Sequence, residues 1–333
     1  NTRTRSLEMR GNPVTDLDMS WISGMLRGNT GLRSFTLSAQ ELGEPGVRTL
    51  FQAATTSHLE LLDLQAAKIP AGAATALCKL VGESRFLKRL YLYWNSLGDA
   101  GAAAICAALM STPQPVLETL VVFNNDLTAV GASAMAEMLK RNTVLRSIAL
   151  VSNQLQDEGA AALSEALATN ATLTQVDLSK CHLGWHVTDL CGVLRTNRSI
   201  TALNLSGNLI RTIEGLAALP RLTSLDLSAN RIRDMEGVAA LTSLRRLDVS
   251  GNFVSRIPAG EGARCSFLVS GRLGCVVTLR SCGGAAVCAA PGIRKLVALT
   301  ELRMAGNNLS VLKDVDNLAS LLNLVTVNLT ANP

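Results

Sequence analysis

Leu87-Lys88-Arg89-Leu90-Tyr91-Leu92-Tyr93-Trp94-Asn95-Ser96-Leu97 is the stretch whose reading decides the fold. Its spacing is L-x-x-L-x-L-x-x-N-x-L. Because strand side chains alternate, Leu90 and Leu92 turn inward and Arg89, Tyr91 and Tyr93 outward. The asparagine then turns inward, where its amide can satisfy backbone groups that a loop-rich interior would leave unpaired. Sliding the pattern along the chain finds twelve copies, starting at Thr4, Leu32, Leu59, Leu87, Leu117, Leu145, Leu173, Ile200, Leu222, Leu244, Leu299 and Leu324. A unit this short cannot bury its apolar face alone, so the copies are expected to stack into one elongated solenoid.

The spacings divide into two regimes. Up to residue 199 they run from 27 to 30, long enough for a strand and a helix. The segment after Leu97, Gly98-Asp99-Ala100-Gly101 and onward to Leu109, reads as such a helix, with Asp99 near its N-terminus and alanines for close packing. From Ile200 the unit shortens to 22 residues, which leaves room for a turn or a single 3₁₀ turn. One spacing, from Leu244 to Leu299, is 55. Removing residues 258–290, which is 33 residues, brings it to 22 and joins Ile257 to Pro291-Gly292-Ile293 in frame. That insert carries Cys265, Cys275, Cys282 and Cys288 at gaps that fit no zinc template. It is expected to pack little against the body.

Residues 4–199, with phrases such as Leu155-Gln156-Asp157-Glu158-Gly159-Ala160-Ala161-Ala162-Leu163, resemble the ribonuclease-inhibitor type of leucine-rich repeat, found also in NOD-like receptors and the Ran GTPase-activating protein. Residues 200–333, with Leu203-Asn204-Leu205-Ser206-Gly207-Asn208-Leu209-Ile210, resemble the 22-residue repeats of the protein phosphatase 1 regulatory subunit and of the axonemal dynein leucine-rich-repeat light chain. In the phosphatase subunit an acidic residue and a tryptophan project from the strand that Glu301 and Arg303 occupy here, and a tyrosine from the next. Glu301 keeps the acid, while Arg303 and Asn328 replace the rings.

Composition narrows the function classes. Hydrophobic residues make up 48% and aromatics 3%, so the core is built of aliphatic side chains. A net charge of +5, from 31 basic and 26 acidic residues without a long basic run, does not point to nucleic acid. No apolar run reads as a membrane span, no secretory signal follows Asn1, and the chain reads as a segment of a longer one. Cys78, Cys106 and Cys191 fall in apolar helical patterns and Cys181 in an asparagine slot, so a reducing, cytoplasmic compartment is expected, with a cytoskeletal, flagellar or nuclear place open. His182 and His186 lie four apart, but His182 falls in a turn, and no metal, cofactor, catalytic constellation or small-molecule substrate is expected.

The outward strand positions are the better place for a site. Tyr91, Tyr93 and Trp94 fall within four residues, Phe123 holds in the next repeat the slot of Tyr93, and Arg89 shares their face. Tyrosine, tryptophan and arginine are the residues enriched in interface hot spots. Asp177, Asp226 and Asp248 fill one slot in their repeats, with Asn204 between the first two, each followed two residues later by serine, and form a stripe of one sign that the neighbouring Arg245, Arg246 and Arg303 blunt. Glu301 and Arg303 are further candidate contact positions. The sequence thus predicts an α/β horseshoe with a parallel sheet on its concave side, helices outside the first seven repeats and turns outside the last five. The expected function is a non-catalytic protein-interaction scaffold holding a partner protein on that side. A phosphatase-regulatory role and a GTPase-activating role are the second and third readings.

Overall fold

The computed structural model describes residues 3–38, 42–184, 196–213, 220–235, 238–255, 257, 293–310 and 312–332. His186 and Cys191, and the insert at 258–290 with its four cysteines, lie outside them. The chain divides into two compact units, Asn1–Asp177 and Leu178–Pro333. This division falls before the change of period at Ile200, and the seventh strand stays in the first unit, bonded back to the sixth with Ser147 opposite Gln175.

The first unit alternates strand and helix: β1 Ser6–Met9, α1 Asp16–Gly28, β2 Ser34–Ser38, α2 Glu44–Thr56, β3 Leu61–Gln65, α3 Ala74–Glu83, β4 Arg89–Tyr93, α4 Gly98–Ser111, β5 Thr119–Phe123, α5 Ala129–Leu139, β6 Ser147–Ala149, α6 Gln156–Thr169 and β7 Gln175–Asp177. Its strands pair in parallel in chain order. The second unit carries β8 Ala202–Asn204, β9 Ser224–Asp226, β10 Arg246–Asp248, β11 Glu301–Arg303 and β12 Thr326–Asn328, again parallel, with 3₁₀ turns at Val238–Ala240, Ile293–Lys295 and Leu312–Leu318. Each of these twelve strands begins two residues after a repeat start read from the sequence.

The core follows from the alternation. Leu62, Leu64, Leu90, Leu92, Leu120 and Val122 are fully buried beneath the strands. Ala102, Ile105, Cys106 and Leu109 of α4 and Ala132, Met135, Ala136 and Leu139 of α5 close it from the helix side. The alanines at Ala102, Ala132 and Ala136 let neighbouring helices approach closely, which helps a core with few rings reach normal packing density.

Beneath the turns runs a ladder of buried asparagines. Asn125 accepts from the Asn95 N–H (3.2 Å) through Oδ1 and donates through Nδ2 to the carbonyls of Leu92 (2.7 Å) and Phe123 (2.9 Å). Asn153 repeats the arrangement on the Asn125 N–H and the carbonyls of Val122 and Leu150. Asn230, Asn252, Asn307 and Asn332 each donate to the preceding repeat and to their own. Each amide therefore ties two repeats, and all but the part-buried Asn332 satisfy groups that water cannot reach.

Among the described residues, the residue just before the asparagine slot is left-handed in eleven repeats. Gly11, Ala66, Trp94, Asn124, Ser152, Lys180, Gly207, Ala229, Gly251, Gly306 and Ala331 all have φ between 50° and 71°. Glycine takes this conformation without strain, and side chains larger than asparagine rarely do.

Candidate binding surface

The register of the first unit lays out its exposed strand face in columns. One column runs Thr36, Asp63, Tyr91, Val121, Ala149, Asp177, and its neighbour runs Ser38, Gln65, Tyr93, Phe123. Arg89, at the start of β4, is exposed. The rings predicted to cluster do so. Trp94 and Phe123 meet edge to face with centroids 5.0 Å apart, Tyr93 lies 5.7 Å from Phe123 and 6.0 Å from Trp94, and Tyr91 meets Tyr93 edge on at 6.1 Å. Such pairs add about 0.5–1.5 kcal/mol beyond burial, so the four rings hold one another in place.

Trp94 stands out within that group. It occupies the left-handed slot at φ 55°, where four other repeats use glycine, and it remains 49% exposed. A bulky residue there costs on the order of 1 kcal/mol in backbone strain. The Trp94 N–H is fixed by the Phe123 carbonyl at 3.0 Å, so the indole is presented from a rigid frame.

Beside the rings lies a carboxylate that the sequence reading missed. Asp63, only 4% exposed, accepts from Arg10 Nη2 at 3.0 Å through Oδ2, and among the described residues its Oδ1 has no hydrogen-bond partner. Burial pushes its pKa up, against the opposing charge of Arg10 and the hydrogen bond from Gln65. The Tyr93 phenol is also pushed up, first by burial and then by Asp63 and Tyr91. The signal in the sequence was an acid in the column of Tyr91, one repeat earlier.

The acidic stripe has a local explanation. Asp226 Oδ1 accepts the N–H (2.9 Å) and Oγ (2.7 Å) of Ser228, and Asp248 Oδ1 accepts the N–H of Ser250 at 2.9 Å. Asn204 and Asn328 do the same for Ser206 and Thr330. These are Asx turns that end the strands, and the hydroxyls of Ser228 and Thr330 add a second bond to the same oxygen. In the second unit Asp226, Asp248, Glu301 and Arg303 come together around a hollow of about 180 Å³, where Arg303 donates to Glu301 at 2.6 Å and reaches Asp248 at 4.0 Å. Asp177 belongs to the first unit, at the end of the Tyr91 column.

Two family matches agree with the strand register. The family described as Leucine Rich repeat matches residues 83–106, 114–136 and 141–164, and Leucine Rich repeats (2 copies) matches 198–240. The chain is built of leucine-rich repeats. It is 33% identical to mouse ribonuclease inhibitor over 140 residues, 41% of this chain and 30% of that protein. It is 34% identical to rat NACHT, LRR and PYD domains-containing protein 3 over 194 residues, 56% of this chain and 18% of that protein. The matched region thus spans less than a third of either relative's length. Among solved structures, an internalin from Listeria monocytogenes aligns with a TM-score of 0.56 at 20% identity over 91% of this chain and 75% of its own, and the TLR13–ssRNA13 complex with 0.57 at 16% identity over 98% and 40%. Both share the leucine-rich repeat fold, the helix-bearing repeats here being of the ribonuclease-inhibitor type. Leucine-rich repeat proteins generally mediate protein–protein interactions.

Proposed function

We propose that this chain is a non-catalytic interaction scaffold whose protein partner seats on the strand face of the first unit, anchored on Arg89, Tyr91, Tyr93, Trp94 and Phe123. The observation that carries the reading is Trp94, a large and half-exposed ring held in a backbone conformation that every other described repeat but one, Lys180, gives to glycine, alanine, serine or asparagine. Strain kept at an exposed position in an otherwise regular array marks a site under functional constraint. In so ring-poor a chain, four aromatic side chains in mutual contact make a rigid anchor that loses little conformational entropy on binding. A cytoplasmic scaffold of the cytoskeleton or axoneme fits the resemblance of the 22-residue repeats.

The test is a comparative capture from lysate by wild type and by a Tyr91→Ala/Trp94→Ala double substitution, read by quantitative mass spectrometry. The partner should be depleted with the variant by about thirtyfold or more for each lost anchor, about 2 kcal/mol or more apiece. Equal recovery, with circular dichroism unchanged, would reduce the rings to rim packing. The identity of the depleted protein separates a cytoskeletal partner from a phosphatase catalytic subunit or a GTPase.

A further inference from the structure

A cleft of about 510 Å³ in the second unit is lined by Arg211, Arg231, Arg233 and Phe253. These residues hold matching places in three successive repeats. Arg231 and Phe253 directly follow the buried Asn230 and Asn252, and Arg211 and Arg233 come three residues after Asn208 and Asn230. The frame beneath them is fixed. The Arg231 N–H donates to the Ile210 carbonyl and the Phe253 N–H to the Ile232 carbonyl, both at 2.8 Å, while the N–H groups of Ile210, Ile232 and Val254 are held by asparagine Oδ1 atoms. With Ile232 fully buried between them, Arg231 and Arg233 turn to the same outer side.

Three cations therefore converge on one volume, and among the described residues neither Arg231 nor Arg233 forms an ion pair. Phe253, 51% exposed, supplies an apolar wall beside them, and Leu209, 38% exposed, stands in its slot two repeats earlier. A single carboxylate would answer only one of the charges of Arg231 and Arg233. A phosphate monoester, with three acceptor oxygens and nearly two negative charges, matches several planar forks at once. The cleft lies within the volume range of small-ligand sites, with room for an organic group against the phenylalanine.

We infer that this cleft binds a phosphate monoester carried on a flat apolar ring, the chemistry of a phosphotyrosine side chain presented by a partner protein. The site lies in the second unit and stands independently of the aromatic patch in the first.

The test is an NMR titration of the intact chain with phenyl phosphate, inorganic phosphate and adenosine monophosphate, at about 0.15 M salt so that loose surface attraction is screened. Phenyl phosphate should saturate with perturbations centred on Arg231, Arg233 and Phe253, and bind about tenfold tighter than inorganic phosphate. Arg231→Gln/Arg233→Gln should weaken it by about tenfold or more. Arg231→Lys/Arg233→Lys, which keeps the charge and removes the forks, should lose most of the affinity as well. Phe253→Ala should bring phenyl phosphate down to the level of inorganic phosphate. All four positions are exposed, and unchanged circular dichroism shows that the variants fold. Absence of saturation, equal affinities for the two phosphates in the wild type, or full affinity in the lysine pair would overturn the inference. Tighter binding of adenosine monophosphate than of phenyl phosphate would overturn the assignment to a phosphorylated side chain.

Discussion

At the scale of single residues, one carboxylate shows how the repeats are joined on the helix side. Asp99 sits in the first turn of α4, as its position in the sequence suggests, but its side chain serves the next helix. Oδ1 accepts the N–H groups of Thr128 and Gly131, both at 2.8 Å, and Oδ2 accepts the Thr128 hydroxyl at 2.6 Å, at the entry to α5. Gly131 makes room, since a Cβ there would lie 2.5 Å from Asp99 Oδ1. Burial raises the Asp99 pKa, but the three hydrogen bonds from Thr128 and Gly131 outweigh it, so the net shift is downward. A carboxyl lowered in the folded state stabilises above its unfolded pKa and ceases to as pH falls through the folded one. Asp99→Ala should therefore cost about 1 kcal/mol at neutral pH, with the gap to wild type in melting temperature closing below about pH 4. Gly131→Ala should cost a similar amount, and the double substitution less than the sum. Trp94→Gly belongs to the same scale. Relieving the left-handed strain should offset part of the lost ring packing, so its stability change should be smaller than that of an ordinary aromatic truncation, about 3–5 kcal/mol, while partner binding is lost. Chemical denaturation beside the capture assay checks both.

At the scale of elements, the strands were legible because the inward leucines and the asparagine recur at fixed offsets. Every described strand starts two residues after a repeat start, and β4 shows the expected alternation of buried leucines with more exposed Arg89, Tyr91 and Tyr93. The helices α1 to α6 were legible from unit length, and α4 to α6 also from their alanine-rich stretches, while the helix expected outside the seventh repeat falls outside the described residues. Less legible was the work of polar side chains that bond across repeats. Nothing in the run Gly98-Asp99 says that the acid reaches 29 residues ahead, or in Asp226-x-Ser228 that the pair closes a turn rather than forming a charged stripe. Likewise Arg10 and Asp63 meet across 53 residues, and only stacking brings them together. The asparagine ladder tests the element scale directly. Asn125→Ala strips buried donors and acceptors in two neighbouring repeats at once, and should cost about 3 kcal/mol by urea unfolding. Asn332→Ala, whose side chain is part-buried, should cost less.

For the whole molecule, the 55-residue spacing is the informative irregularity. β10 and β11 pair in the same register as β9 and β10, Asp248 opposite Arg303 as Asp226 opposite Asp248. The backbone bond from Thr300 N–H reaches Arg245 across 55 residues where that of Thr223 reaches Thr201 across 22, a difference of 33. The bond from Val254 N–H reaches Asn307 across 53 residues where that of Ile232 reaches Asn252 across 20, again 33. The ladder therefore closes as though residues 258–290 were not counted, as the sequence arithmetic proposed. Deleting them should leave the far-ultraviolet dichroism unchanged and the melting temperature equal or higher, because the loop closed between β10 and β11 becomes shorter. A fall of several degrees would show that the segment contributes to the body. The same register gives the protein engineer a docking port. A solenoid that keeps its strand order across 33 surplus residues can be expected to host a passenger of comparable length at that point, such as an epitope or a fluorogenic tag, and so to be tracked or immobilised with both chain termini and the aromatic face left untouched.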